Sequence, residues 1–126
     1  MLGNYAVIGI VGSRSRNSVD DYNLVVNKLI EIVRLNNIEY FMICSGGAST
    51  GADDFAKHIA EKSEVPLLLF LPNWENRGKA GGPLRNKKIA ENSDYLIACW
   101  DKKSRGTSSC IGFFKGFHGE ERLFIV

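Results

Sequence analysis

The chain has 126 residues, 44% of them hydrophobic and 24% charged, a length and balance that fit one folded domain over residues 1–126 and exclude disorder or a fibrous repeat. Sixteen Lys and Arg against fourteen Asp and Glu leave a formal charge of +2, too little for the dense basic surface that sequence-independent duplex binding uses. The longest apolar run, Pro66 to Pro72, is far short of the roughly 20 residues that span a bilayer, and Met1 leads almost directly into a strand-like segment, so a cytoplasmic protein with no membrane partner is expected.

Residues 5–11 (YAVIGIV) form an apolar, β-branched run ending at Gly12, which predicts a buried first strand. Ser18 then stands three residues before Asp21 as a capping box. Tyr22, Val25, Val26, Leu29, Ile30 and Val33 follow at the spacing of one helical face. A second strand is predicted at 39–44 (EYFMIC), followed by a turn at 45–51 too glycine-rich and polar to continue it. Ala52, Phe55, Ala56, Ile59 and Ala60 repeat at helical spacing, and a third strand occupies 66–71. A polar stretch over 73–82 leads to Pro83 at the first position of a helix running to about Asn92. A strand at 95–100 (YLIACW), a helix from about Thr107 and a last strand at 122–126 complete the chain.

Strands alternating with helices imply parallel pairing through right-handed crossovers. The expected fold is therefore a Rossmann-like three-layer α/β/α domain with a mainly parallel sheet of about five strands, in the order 3-2-1-4-5. In such a sheet the C-terminal ends of the strands share one edge, and ligands bind there, where the strand order reverses. Four segments of unusual composition follow predicted strands and so converge on that edge: Gly12-Ser13-Arg14, Ser45 through Gly46, Gly47 and Gly51 to Asp53, Gly78–Asn86, and Ser104 through Gly106 and Thr107 to Ser108.

The second segment, SGGASTGAD, combines glycines that let backbone N–H groups approach a ligand with hydroxyls and a following helix N-terminus. It lacks a Walker lysine and GxGxxG spacing. A plain βα turn, with Asp53 favouring the helix dipole by ~0.3–1 kcal/mol, would use similar residues. Arg85 is expected in the first turn of its helix, where a cation opposes the dipole and therefore needs another reason, such as an anionic ligand beside Asn86. Ser104 and Thr107 either face a ligand or cap their helix. Trp74 and Trp100 are placed to stack on a base, although a large aromatic beside a loop more often packs. Cys44, Cys99 and Cys110 have no CxxC spacing and His58 and His118 no ligand spacing, so buried thiols are expected, with no metal or other cofactor.

Together these motifs resemble the SLOG superfamily, which includes LOG-type phosphoribohydrolases and the DNA-processing protein DprA, and within it the small stand-alone YspA-like branch. The resemblance rests on Gly12-Ser13-Arg14, Ser45-Gly46-Gly47-Ala48 with Gly51-Ala52-Asp53, Trp74 with Gly78 to Asn86, and Ser93-Asp94 through Trp100-Asp101 to Ser104-Arg105-Gly106-Thr107. It implies a nucleotide or nucleotide-derived ligand, held by a sensor or binding domain, and a homo-oligomer, since dimers are common in the superfamily. In the hydrolase branch, an Arg corresponding to Arg85 and a Glu just after the Gly-Thr pair serve N-glycosidic cleavage. Here Arg85 is kept, but Ser108, Ser109 and Cys110 stand where the acid would fall. Nucleoside monophosphate phosphoribohydrolase activity is accordingly the second reading, with Arg85 and Asp53 as catalytic candidates and Asp101 as another nearby carboxylate. Single-stranded nucleic-acid binding, by analogy with DprA and through Arg77, Lys79, Arg85, Lys87, Lys88 and Arg105, is the third.

Overall fold

The computed structural model describes residues 4–126, with the side chains of Asn76, Arg77 and Lys79 outside the described set. The expectations for Met1 and for the side chains of Arg77 and Lys79 therefore fall outside it. Five strands, β1 (Tyr5–Gly12), β2 (Tyr40–Ser45), β3 (Leu67–Leu69), β4 (Tyr95–Cys99) and β5 (Leu123–Ile125), form one sheet in the order β3-β2-β1-β4-β5. Every neighbouring pair is parallel. Around the sheet lie α1 (Val19–Leu35), α2 (Ala52–Ser63), the one-turn α3 (Trp74–Arg77), α4 (Gly81–Asn92) and α5 (Arg105–His118). The fold is the Rossmann-like α/β arrangement expected from the strand–helix alternation. Among the described residues no helix is long and apolar enough to cross a membrane.

Because successive strand residues point to opposite faces, β1 serves two cores at once. Ala6, Ile8 and Ile10 pack with Val25, Leu29 and Ile32 of α1 and with Phe55, Ala56 and Ile59 of α2. Val11, on the other face, packs with Ile89 and Ala90 of α4 and with Cys110, Ile111 and Phe114 of α5. The two helical layers cover both faces of the central strands, which explains why β1 and β4 read as continuous apolar runs rather than alternating ones.

Local signals account for the helix ends. Ser18 Oγ accepts the Asp21 N–H and the Asp21 carboxylate accepts the Ser18 N–H, completing the capping box of α1. The buried stripe of α1 is rotated from the expected face, since Ile32 is 1% exposed and Ile30 is 42% exposed. Tyr22 meets Phe55 of α2 edge to face, with ring centroids 5.4 Å apart, so the apolar face of α1 is shared between the sheet and α2, and Ile30 lines an open groove beside α2 instead of the core. In α2 the five expected positions are all buried.

The expected polar loop over 73–82 instead contains α3 and a 3-10 turn at Gly78–Ala80, and α4 begins at Gly81, two residues before Pro83. Proline is tolerated there because the first helical N–H groups have no intrahelical acceptor. The glycines stay helical because the Asn73 backbone and the Trp74 ring lie against them, so that a Cβ at Gly82 would come within 3.2 Å of Trp74. Arg85 therefore lies in the second turn of α4, not the first. The rotated stripe of α1 gives a direct test: Ile32→Ala should cost about 2–5 kcal/mol in urea unfolding and Ile30→Ala well under ~1 kcal/mol, and the reverse ranking would place the helix face wrongly.

Candidate functional site

The strand order reverses between β1 and β4, and the chains leaving those two strands diverge around a cleft of about 400 Å³. Its walls come from Val11 to Ser15 after β1, Gly46 after β2, Asp53 of α2, Arg85, Asn86 and Ile89 of α4, Asp101 after β4, and Ser104, Gly106, Thr107 and Cys110 around the start of α5. Four stretches distant in sequence, 11–15, 46–53, 85–89 and 101–110, thus meet at the carboxyl ends of the central strands.

The loops after β1 and β4 are bonded to each other. The Ser13 N–H donates to the Cys99 carbonyl at 2.9 Å, and the Asp101 N–H donates to Ser13 Oγ at 3.0 Å. Ser15 Oγ donates to Asp101 Oδ2 at 2.7 Å, while Asp101 Oδ1 accepts the Lys103 and Ser104 N–H groups at 2.8 Å each. The Ser15 hydroxyl and the Ser104 and Lys103 N–H groups hold the Asp101 carboxyl well below the usual carboxylate range. Ser13 is 2% exposed, so its hydroxyl braces the floor of the cleft, whereas Arg14, on the same loop, is exposed and lines the cleft.

The glycine loop after β2 carries its own anion. Asp53 Oδ1 accepts from Ser45 Oγ at 2.9 Å and Asp53 Oδ2 from the Ala48 N–H at 2.9 Å. The Ser45 hydroxyl is also 2.7 Å from the Ile10 carbonyl and the residue is fully buried. A carboxylate from the first turn of α2 thus engages an N–H and a hydroxyl of the loop, at the end of the helix where negative charge is favoured. Gly47 has φ +81°, and a Cβ there would meet Leu71 at 2.7 Å. Its role is a left-handed turn packed on an apolar side chain.

Arg85 reaches back across the cleft to this loop. Its Nη1 donates to the Gly46 carbonyl at 3.0 Å and its Nε to Asn86 Oδ1 at 2.9 Å. A Cβ at Gly46 would overlap the guanidinium, so glycine is needed at this position for close approach. Asn86, 7% exposed, donates in turn to the Gly106 carbonyl at 3.1 Å, tying α4 to the first turn of α5.

At that first turn Ser104 is the N-cap, its Oγ accepting the Thr107 N–H at 3.4 Å. Trp100 Nε1 donates to the Ser104 carbonyl, and the ring packs against the core beneath α4 and α5, so Trp100 is a packing residue. Trp74 is 57% exposed and lies against Gly82. Of the three residues where a hydrolase of the resembled type would carry its acid, Ser108 is exposed, Ser109 half-buried and Cys110 buried. The Cys110 thiol donates to the Asn86 carbonyl, and burial pushes its pKa up to about 12, a group without nucleophilic thiolate. Cys44 and Cys99 are likewise buried free thiols.

The cleft therefore gathers Gly12, Ser13, Arg14, Gly46, Asp53, Arg85, Asn86, Ser104, Gly106 and Thr107 from the residues singled out in the sequence. Ser45, Gly47 and Gly51 stand behind its wall: Ser45 in the core, Gly47 against Leu71, and Gly51 as the N-cap of α2, its N–H donating to Asn17 Oδ1. Ser15 was not among those residues, and no sequence pattern marks it. The sequence offers Asp101 as a nearby carboxylate, and an Asp three residues before a helix-capping Ser is the signature of a side chain bonding forward to backbone N–H groups.

The fold and the residues on its reversal edge define a Rossmann-like domain of the SLOG type. The chain belongs to the YspA, cpYpsA-related SLOG family, whose model matches residues 8–76. That span runs from β1 into α3 and holds the first two cleft loops, while α4 and α5 lie beyond it. Searches of curated proteins and of solved structures returned no match.

Asp101 also gives the site a pH signature. A carboxyl held below its unfolded value near ~3.9 contributes stability above that pH and loses it as pH falls through the folded pKa. Urea unfolding across a pH series should therefore show Asp101→Asn less stable than wild type at pH 7, with a shallower loss of stability below pH ~4. Parallel curves for the two proteins would contradict the bonding described.

Proposed function

We propose that the cleft binds a nucleotide or a nucleotide-derived phosphate and that the protein acts by binding it. The observation that carries this reading is the lining of one cleft, at the strand-order reversal, by Arg14, Arg85 and the N-terminus of α5. The Arg14 guanidinium has no hydrogen-bond or ion-pair partner among the described residues, and it extends from a loop whose two flanking serines are both bonded. The first N–H groups of α5, at Arg105 and Gly106, have no intrahelical acceptor, and a Cβ at Gly106 would meet nothing nearer than Asn86 at 4.0 Å. Open N–H groups at a helix N-terminus beside cations suit a phosphate.

The opposite side of the cleft has a different character. At the glycine loop after β2 the Asp53 carboxylate and the Arg85 guanidinium lie close together, a mixed donor and acceptor set that suits ligand hydroxyls better than a second phosphate. Family membership supports a nucleotide-related role of this kind.

Binding is preferred to hydrolysis because no carboxylate follows Gly106-Thr107, and N-glycosidic cleavage develops positive charge on the ribose that a carboxylate must balance. The two carboxylates that do line the cleft are engaged: Asp53 by Ser45 and Ala48, Asp101 by Ser15, Lys103 and Ser104. Each would have to surrender these bonds to orient water.

A thermal-shift screen with AMP, ADP, ATP, cyclic nucleotides and ADP-ribose tests the reading, because a ligand at 100 times its dissociation constant adds ~2.7 kcal/mol of stability. For the best ligand, Arg14→Ala and Arg85→Ala should each lower affinity about ten-fold or more, charge-assisted hydrogen bonds being worth about 1.5–3 kcal/mol each. Gly46→Ala should also weaken binding while leaving the melting temperature within a few degrees, since the displaced group is the flexible end of Arg85. A screen without any stabilising nucleotide, or affinity within two-fold of wild type in both arginine variants, would refute the proposal. Release of free base and ribose phosphate, lost in Arg85→Ala, would replace binding by hydrolysis.

A further inference from the structure

Arg16 lies outside the cleft, and its bonds reach three elements that the cleft depends on. Its Nε pairs with Asp21 Oδ1 at 2.7 Å, at the capping box of α1. Its Nη1 donates to the Trp100 carbonyl at 2.9 Å, one residue before Asp101, and to the Val126 carbonyl at 2.9 Å, just past β5. Its own N–H donates to the Ser13 carbonyl at 3.0 Å, closing the turn that displays Arg14.

We propose that Arg16 is a positioning residue for the cleft: by holding the turn at Ser13–Arg16 against the backbone at Trp100–Asp101, it fixes the direction in which Arg14 meets the ligand. Arg14 is flanked by Ser13, bonded to Cys99 and Asp101, and by Ser15, bonded to Asp101. From the other side Gly51 lies so close that a Cβ there would be 2.8 Å from the Ser13 carbonyl oxygen and 3.2 Å from Arg14 Cα. Arg16 fastens the remaining side. A guanidinium is required because its planar fork serves a carboxylate and two carbonyls at once, whereas a lysine ammonium on a flexible stem keeps the charge without that geometry.

The part of this inference that concerns Arg14 and a ligand rests on the nucleotide reading above; the part that concerns the loops does not. Amide hydrogen exchange on the ligand-free protein therefore comes first. In Arg16→Lys, the Ser13, Asp101 and Ser104 amides should exchange ten-fold or more faster than in wild type, with Ile8 and Ile97 in the central strands unchanged. Arg16→Gln is the second variant, so that the test survives a folding failure in either. Calorimetry with AMP then reads the consequence. Arg16→Lys should lower affinity ten-fold or more, and the double variant Arg14→Ala/Arg16→Lys should bind within two-fold of Arg14→Ala alone, because one residue acts through the other. Unchanged exchange at Ser13 and Asp101, or additive losses in the double variant, would overturn the proposal and leave Arg16 as a tether for β5. If wild type binds no nucleotide, the functional reading fails, and exchange alone decides the positioning role.

Discussion

Asp101 accepts the Ser15 hydroxyl through one carboxylate oxygen and the Lys103 and Ser104 N–H groups through the other, while its own N–H donates to Ser13 Oγ. This single residue joins the turn after β1 to the turn that starts α5. In a parallel sheet the two strands at the reversal point send their helices to opposite faces, which opens a crevice between them. Nothing in the sheet itself sets the width of that crevice here. The Asp101 bonds do so together with the Ser13–Cys99 and Arg16–Trp100 bonds, and without this set the Arg14 loop and the Ser104 cap would be independent surface turns.

The rest of the cleft follows from how its charges are arranged. Asp53 and Arg85 both approach the backbone at Gly46–Ala48, one accepting the Ala48 N–H and the other donating to the Gly46 carbonyl. Both ends of that short peptide segment are therefore satisfied by side chains, and a rigid loop results without secondary structure. Arg85 in turn shares Asn86 with the Gly106 carbonyl, so the glycine loop, α4 and α5 are linked through one chain of hydrogen bonds. Such a linked arrangement favours a site formed before any ligand arrives, which lowers the ordering cost of binding.

Much of this architecture is legible in the sequence because it depends on periodicity. The strand–helix alternation implies the parallel order, the Ser18–Asp21 spacing marks the cap of α1, and the apolar spacing of Ala52 to Ala60 identifies the buried face of α2. Where tertiary packing overrides a local signal, the reading shifts. Gly81 and Gly82 read as breakers, yet they are helical because Asn73 and Trp74 occupy the space a side chain would need. Ile30 and Ile32 are chemically alike, and only the tertiary packing of α1 decides which is buried. Four glycine- and hydroxyl-rich loops identify the edge of the sheet, but composition does not separate residues that face the cleft, such as Gly46, from those behind it, such as Gly47. Ser15 and Arg16 carry no local signature of their link to the turn after β4, because Asp101 and Trp100 lie more than 80 residues away.

Under the proposed function, a nucleotide would enter this cleft and no other surface. The apolar groove between α1 and α2, lined by Tyr22, Val26, Ile30 and Ile59 among others, offers neither a glycine loop nor a helix N-terminus and serves as the internal comparison. The most direct measurement is a nitrogen-15 amide spectrum of the wild-type protein titrated with AMP. The largest, saturable shifts should fall on Ser13 to Ser15, Gly46 and Arg105 to Thr107, with the α1–α2 groove silent. Shifts confined to α1 and α2, or scattered without saturation, would contradict the account.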